Sequence, residues 1–298
     1  MKACKFKPNN NATLNGSELS LSSVPILSFF TGAGLLDLGF YKSGFENIVW
    51  RNEYNPNFVR GFEYAIHAHL GVEHKISNVK SIHDISAKEI LDQAFHKTGK
   101  PEMFGIIGGS PCPDFAIGGK NKGEYGQHGK LSQVYVDNII SLLPTFFILE
   151  NVAGLSRTGK HKVFLDRLIL QLQEYYSISH KVLNALNYGA PQFRERVFVV
   201  GFRKDWLKKQ FGVELQNGEE DWFPWAKEKF PNARKTYKWS QTIPFGDTPK
   251  KPRGIPVELM SGTHICNQEE LSLLPNGEDI FRPKSDKFTK IAEGRFFR

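Results

Sequence analysis

Cysteine is scarce: Cys4, Cys112 and Cys266 are the only three in 298 residues. An odd number so widely spaced argues against a disulfide framework, and no zinc spacing is present, so the chain reads as a protein of a reducing cytoplasm. Long apolar runs are missing too. No stretch approaches the roughly 20 residues that cross a bilayer. Asn9, Asn10, Asn11 and Thr13 stand where a signal peptide would need its apolar core. A soluble, unexported protein with no membrane partner is expected. Acidic residues are outnumbered, 31 against 39 Lys and Arg, giving a formal charge of +8 and a pI near 9.2. That balance suits a polyanionic partner, although a solvated basic surface would produce it as well. With 40% hydrophobic residues, the chain has enough apolar material for a substantial core, which excludes global disorder.

What is present centres on FGIIGGSPCPDFAIGGKNKG, residues 104–123. Phe104, Ile106 and Ile107 read as the end of a buried strand, and the glycines and prolines after them rule out direct passage into helix. Cys112 therefore falls on a loop at the carboxyl edge of a sheet, where an α/β protein would place a nucleophile. A lone cysteine is more often a small core hydrophobe; its two flanking prolines stiffen the loop and favour the functional reading.

Upstream, VPILSFF reads as a short buried strand and TGAGLLDLGFYKSGF as a helix, with Leu35, Leu38 and Tyr41/Phe45 at helical spacing. Phe30, Gly32 and Gly34 occupy the turn between them, where bare backbone and free helix N–H groups can receive a ligand. NIVWRNEYN is the next strand. It puts Glu53 at its end, where such folds bind ribose hydroxyls, although most glutamates are merely exposed. FVRGFEYAIHAHLG is expected to be helical, and HKISNVKSIHDIS to be a third strand ending at Asp84.

Beyond the cysteine loop, LSQVYVDNIISLL carries Leu131, Val134, Tyr135, Ile139 and Leu142 on one helical face and stops at Pro144. The strand TFFILENV follows, and burial at its end would raise the pKa of Glu150, as a group that shares a proton near neutral pH requires. HKVFLDRLILQLQEYY reads as another amphipathic helix. SISHKVLNA and RVFVVGF are joined by so short a loop that they must be antiparallel. Alternation puts Arg194 and Arg196 on one strand face.

FFTGAG, the acid of RNEYN, HDI, GGSPCPDFAIGGKNKG, ILENVAGL and APQFRERVFVVG, taken in order and spacing, resemble the DNA cytosine-5 methyltransferase family over residues 24 to about 203. The resemblance implies an α/β S-adenosylmethionine-dependent methyltransferase fold, a mixed seven-stranded sheet with helices on both faces. It also implies S-adenosyl-L-methionine as cofactor and double-stranded DNA as substrate. Phe30, Gly32 and Gly34 would line the methionine end of the cofactor, Glu53 would take the ribose hydroxyls, Tyr54 would face the adenine, and Asp84 with Ile85 would read its edge. Pro111, which positions the cysteine, and Leu131 join the cofactor-binding set. Cys112 would be the nucleophile, Glu150 the partner of cytosine ring nitrogen 3 and the exocyclic amine, and Arg196 the contact to the carbonyl oxygen. Arg194, with Gln192, belongs to this catalytic group more as scaffold.

The sequence departs from the family where Pro113, Asp114 and Ala116 follow the cysteine, in place of the Gln and Ser of many relatives. The family's last two segments after the recognition region are not found. Residues 1–23 read as a polar leader, 24–204 as the catalytic domain and 205–298 as a smaller, loop-rich target-recognition region. That region holds eight of the sixteen prolines and a stretch, 225–253, where Lys and Arg alternate with Trp225, Tyr237, Trp239 and Phe245. Three readings stay open: a DNA cytosine-5 methyltransferase, for which a cognate restriction endonuclease is a candidate partner; a truncated or split subunit that binds cofactor and DNA but needs a second polypeptide for activity; and an RNA cytosine methyltransferase.

Overall fold

The computed structural model describes residues 20–71, 74–111, 127–157, 159–190, 194–213, 215 and 222–231, with four short strands at 13–14, 17–18, 242–244 and 254–256. It divides into two units, residues 1–231 and 232–298.

In the first unit a two-residue pair, β1 (Thr13–Leu14) and β2 (Ser17–Glu18), precedes the main fold. Strand β3 (Ile26–Phe29) then leads through a tight turn into helix α1 (Leu35–Lys42). Strand β4 (Ile48–Arg51), α2 (Pro56–Leu70) and α3 (Ala87–Phe95) follow, then β5 (Gly105–Gly109), α4 (Gln127–Leu142) and β6 (Phe146–Val152). A short α5 (Gly154–Arg157), α6 (Gly159–Leu172), β7 (Tyr176–Asn184), β8 (Glu195–Arg203) and α7 (Lys204–Phe211) complete it. In the second unit, β9 (Thr242–Pro244) pairs antiparallel with β10 (Gly254–Pro256).

Six strands lie in the order β4-β3-β5-β6-β8-β7. The first four are parallel; β8 runs antiparallel to β6, and β7 antiparallel to β8. Strand β3 is buried along its whole length, as the centre of a sheet covered on both faces must be. Its alternation divides the core. Leu27 and Phe29 join Trp50, Ile90, Tyr135, Ile139, Phe164 and Leu168 on one face, while Ile26 joins Ile48, Ile107 and Phe146 beneath Leu36 and Phe40 of α1 on the other. At the far edge, residues 222–231 cover the outer strand: Trp222 Nε1 donates to the Ile178 carbonyl at 3.1 Å and Trp225 Nε1 to Ser179 Oγ at 3.0 Å.

Two local expectations change. HKISNVKSIHDIS is not a strand. Asn78 makes a single parallel bridge with Asn52, and the segment ends in a 3-10 turn, Ile82–Asp84. Side chains replace the ladder there, since Asn52 Nδ2 donates to the carbonyls of Asn78 and Lys80, and Asn78 Oδ1 accepts from the Lys80 amide. The described residues thus carry six of the seven expected strands. The apolar face assigned to α1 also shifts, because Leu35 is 78% exposed while Asp37 is 2% exposed.

Asp37 is buried because it is satisfied. It accepts from Ser28 Oγ at 2.6 Å and pairs with Arg51 Nε at 3.0 Å, tying α1 to the ends of β3 and β4. Burial still raises its pKa above the ordinary 3.8, with the Ser28 hydrogen bond and the Arg51 charge pulling the other way. We predict that Arg51→Met, which leaves a buried carboxylate unpaired, lowers stability by about 3–5 kcal/mol at neutral pH. It removes a lowering influence, so the folded-state value rises further. The loss should be smallest at acid pH, where the carboxyl is protonated in both proteins, and grow as pH rises from the unmutated protein's folded value toward the variant's higher one. Urea unfolding of both proteins across this range checks it; a loss independent of pH would contradict the assignment.

Candidate active site

The parallel strands end at one edge of the sheet, and the candidate residues gather there. Between β3 and α1 the backbone turns sharply: Phe30, Gly32 and Gly34 all have positive φ, at 52°, 58° and 78°. For Gly34, the N-cap of α1, this is easily adopted, whereas Phe30 is held by its surroundings. Its ring meets Tyr135 edge-on at 5.8 Å, and the next residue's amide donates to the Asn52 carbonyl at 2.9 Å.

Glu53 reaches across to that turn. One carboxylate oxygen accepts from the Gly32 amide at 2.8 Å and the other from the Asn55 amide at 2.7 Å. Each oxygen retains a lone pair, so a carboxylate fixed at the lip of the turn can still accept from vicinal hydroxyls. Tyr54 beside it is 70% exposed, with a ring face open for stacking. Asp84 is exposed, Ile85 lies in the core, Leu131 is half-buried against the core, and Pro111 is exposed. The strained turn, the fixed carboxylate and the open aromatic ring fit an adenosine-bearing cofactor.

Two strands away, Glu150 sits near the end of β6. Its partner is Arg196 of β8, Nε to Oε1 at 2.8 Å, with both side chains about three-quarters buried. Register explains the meeting. Arg196 lies directly opposite Val152, which shares a strand face with Glu150, so the two side chains are diagonal neighbours. Burial raises the Glu150 pKa, opposed by the charges of Arg196 and Arg194 and by the Arg196 hydrogen bond. Arg194 itself is exposed just before the strand. The strand start is also tied to α5, where Arg157 forms a two-pronged pair with Glu195.

Gly109 was not singled out by its sequence. It is the register neighbour of Glu150 on β5, and a Cβ built there would lie 2.6 Å from Glu150 Oε2. The bare backbone is the space the carboxylate occupies. A glycine in a strand signals a close approach, but the sequence does not reveal what approaches. Asn151 was likewise unassigned; its side chain is buried and donates to Ser110 Oγ at 3.1 Å. Cys112 and Gln192 lie outside the described residues, as do Tyr237, Trp239 and Phe245 of the basic-aromatic stretch.

Among curated proteins, the chain is 38% identical over 278 residues to Type II methyltransferase M.NmeDI of Neisseria meningitidis serogroup C, covering 90% of this chain and 63% of that one. With Type II methyltransferase M.MthTI of Methanothermobacter thermautotrophicus it shares 39% identity over 197 residues, covering 65% and 53% of the two chains. The chain thus spans about half to two thirds of the length of these relatives. A solved structure, a prophage-encoded DNA modification methyltransferase of E. coli, superposes with a TM-score of 0.51 at 22% identity. The match covers 65% of this chain and 49% of that one, and shows the shared methyltransferase fold. The family model for the C-5 cytosine-specific DNA methylase matches residues 24–265, well over half the sequence, and the chain belongs to that family.

Proposed function

We propose that this chain methylates carbon 5 of cytosine in double-stranded DNA, using S-adenosyl-L-methionine. The observation that carries the reading is the Glu150–Arg196 pair: a carboxyl whose burial raises its pKa, beside a fixed guanidinium. It stands next to the strand that leads to Pro111 and Cys112.

Cytosine carbon 5 is a poor nucleophile until a thiolate adds to carbon 6 and pushes electron density onto carbon 5. Cys112 is the residue for that addition; once carbon 5 carries the methyl group, its proton leaves to solvent and the carbon 6–sulfur bond breaks, which restores the ring and frees the thiolate. Glu150, holding or sharing a proton at ring nitrogen 3, accepts the charge that builds there, and Arg196 steadies both the carboxyl and the cytosine carbonyl oxygen. Arg194 adds positive charge at the same edge. When bound, S-adenosylmethionine supplies an electrophilic methyl group. Glu53, the turn of Phe30, Gly32 and Gly34, and Tyr54, Asp84, Ile85, Pro111 and Leu131 are the residues proposed to hold it. A base inside a duplex cannot reach this edge, so the cytosine is flipped out at a cost of about a few kcal/mol.

The reading makes double-stranded DNA the partner, with the basic, aromatic region after residue 204 supplying phosphate and base contacts. It places the protein in the cytoplasm with a cognate restriction endonuclease as companion.

Three outcomes test this. The unmutated chain, alone and with cell extract, is given DNA and RNA substrates, and bisulfite sequencing should report 5-methylcytosine in DNA at a fixed sequence context. Modification of RNA alone would overturn the DNA reading. Cys112→Ala should abolish transfer while S-adenosylmethionine binding, read by calorimetry, survives; retained turnover would end the proposed chemistry.

Gly109→Ala should leave the unfolding midpoint nearly unchanged, because only the mobile end of Glu150 must move, yet slow methylation by about 100-fold. A normal rate in that variant would remove Glu150 from the reaction.

A further inference from the structure

Three polar side chains are buried just behind the Glu150 edge, and neither the fold nor the proposed chemistry has used them together. Ser110 follows β5 directly, Asn151 follows Glu150 on β6, and Ser132 comes from α4; they are 4%, 1% and 0% exposed. Asn151 Nδ2 donates to Ser110 Oγ at 3.1 Å, and the two serine hydroxyls share a hydrogen bond of 2.8 Å. Asn151 Oδ1 accepts from the Val152 amide at 2.7 Å, which locks the amide's orientation and aims its NH₂ group at Ser110.

The arrangement is costly without a purpose. Hydroxyls at positions that an apolar side chain could fill must each find a partner or forfeit their hydration. Here the partners link three elements at a single point. Ser110 is the buried residue between the end of β5 and Pro111, two positions ahead of Cys112 in sequence, and Asn151 is the residue after Glu150. A fully buried helix hydroxyl therefore joins, through Ser110, the end of the strand that leads in sequence toward Cys112 and the end of the strand that carries Glu150.

We propose that Ser132, through Ser110 and Asn151, is a positioning residue that holds the ends of β5 and β6 in the alignment that methyl transfer requires. The proposal rests on the reading of the site as a cytosine methyltransferase for its consequence, but its structural half stands apart. Loss of the Ser132 hydroxyl leaves Ser110, among the described residues, with the Asn151 amide as its side-chain partner. The strand ends can then shift relative to one another while the sheet behind them, filled by Phe29, Tyr135 and Phe147, stays packed. Small displacements at a reacting centre cost rate far more than they cost stability.

The test compares the full unmutated chain with Ser132→Ala and Ser110→Ala. Hydrogen exchange by mass spectrometry is followed in peptides covering 105–111 and 146–153, with peptides from β7 and α6 as internal controls. Exchange at both strand ends should quicken by about fivefold or more in each variant while the controls stay fixed. In parallel, single-turnover methylation at saturating DNA should slow by about tenfold, with the S-adenosylmethionine dissociation constant and the KM for DNA unchanged. Exchange at the strand ends within twofold of the unmutated chain in both variants would overturn the proposal, as would a uniform rise across all peptides. Should the unmutated chain methylate no cytosine, the functional reading fails, and the exchange comparison still decides whether Ser132 holds the strand ends.

Discussion

The candidate edge of the sheet is organised around a carboxyl group that is about three-quarters withdrawn from water beside a guanidinium. Burial drives Glu150 toward its protonated form, and two arginines pull it back. A fully exposed glutamate would be an anion at neutral pH and could accept a hydrogen bond but give none. A fully buried, unpaired one would destabilise the sheet it ends. The compromise depends on β8 reaching that edge, and it leaves a carboxyl group poised between its charged and protonated forms.

The other half of the edge uses backbone in place of charge. The turn from β3 into α1 holds three residues at positive φ, and the Glu53 carboxylate bridges it by accepting from the Gly32 and Asn55 amides. Beneath it, Asp37, Ser28 and Arg51 fasten the same helix to the same two strands. One carboxylate shapes the rim and the other anchors the base. The strain at Phe30 is sustained by this bracing, and a turn so held loses little further freedom when a ligand arrives.

Much of this was legible in the sequence. The apolar runs gave the strands around 26–29, 48–51, 105–109 and 146–152, and the short connection between the last two strands required them to be antiparallel. Less legible was anything where a polar side chain stands in for a structural element. HKISNVKSIHDIS alternates like a strand, yet its asparagines take the backbone partners that a neighbouring strand would have supplied. In α1 the spacing of leucines pointed outward because an ion pair formed across sequence, Asp37 with Arg51, claimed the inner face. Gly109 and Ser132 were silent for a related reason. Their meaning lies in what approaches them, and Ser132 reads in sequence as an ordinary residue of a helix's polar side.

The change of strand direction between β6 and β8 is what makes the site buildable. In a wholly parallel sheet every strand would deliver its last residues to this edge, followed by a loop, and a neighbour's first residues would lie at the opposite edge. Because β8 runs backwards, its first residues meet the last residues of β6, with Arg196 opposite Val152. Glu150 is thereby flanked by a strand that is ending and one that is beginning. From the ending strand it receives the bare backbone of Gly109 and the lead into Pro111; from the beginning strand it receives a guanidinium. The antiparallel pair at the sheet's edge thus does more than close the fold: its direction sets which chemical groups the buried carboxyl can have as neighbours.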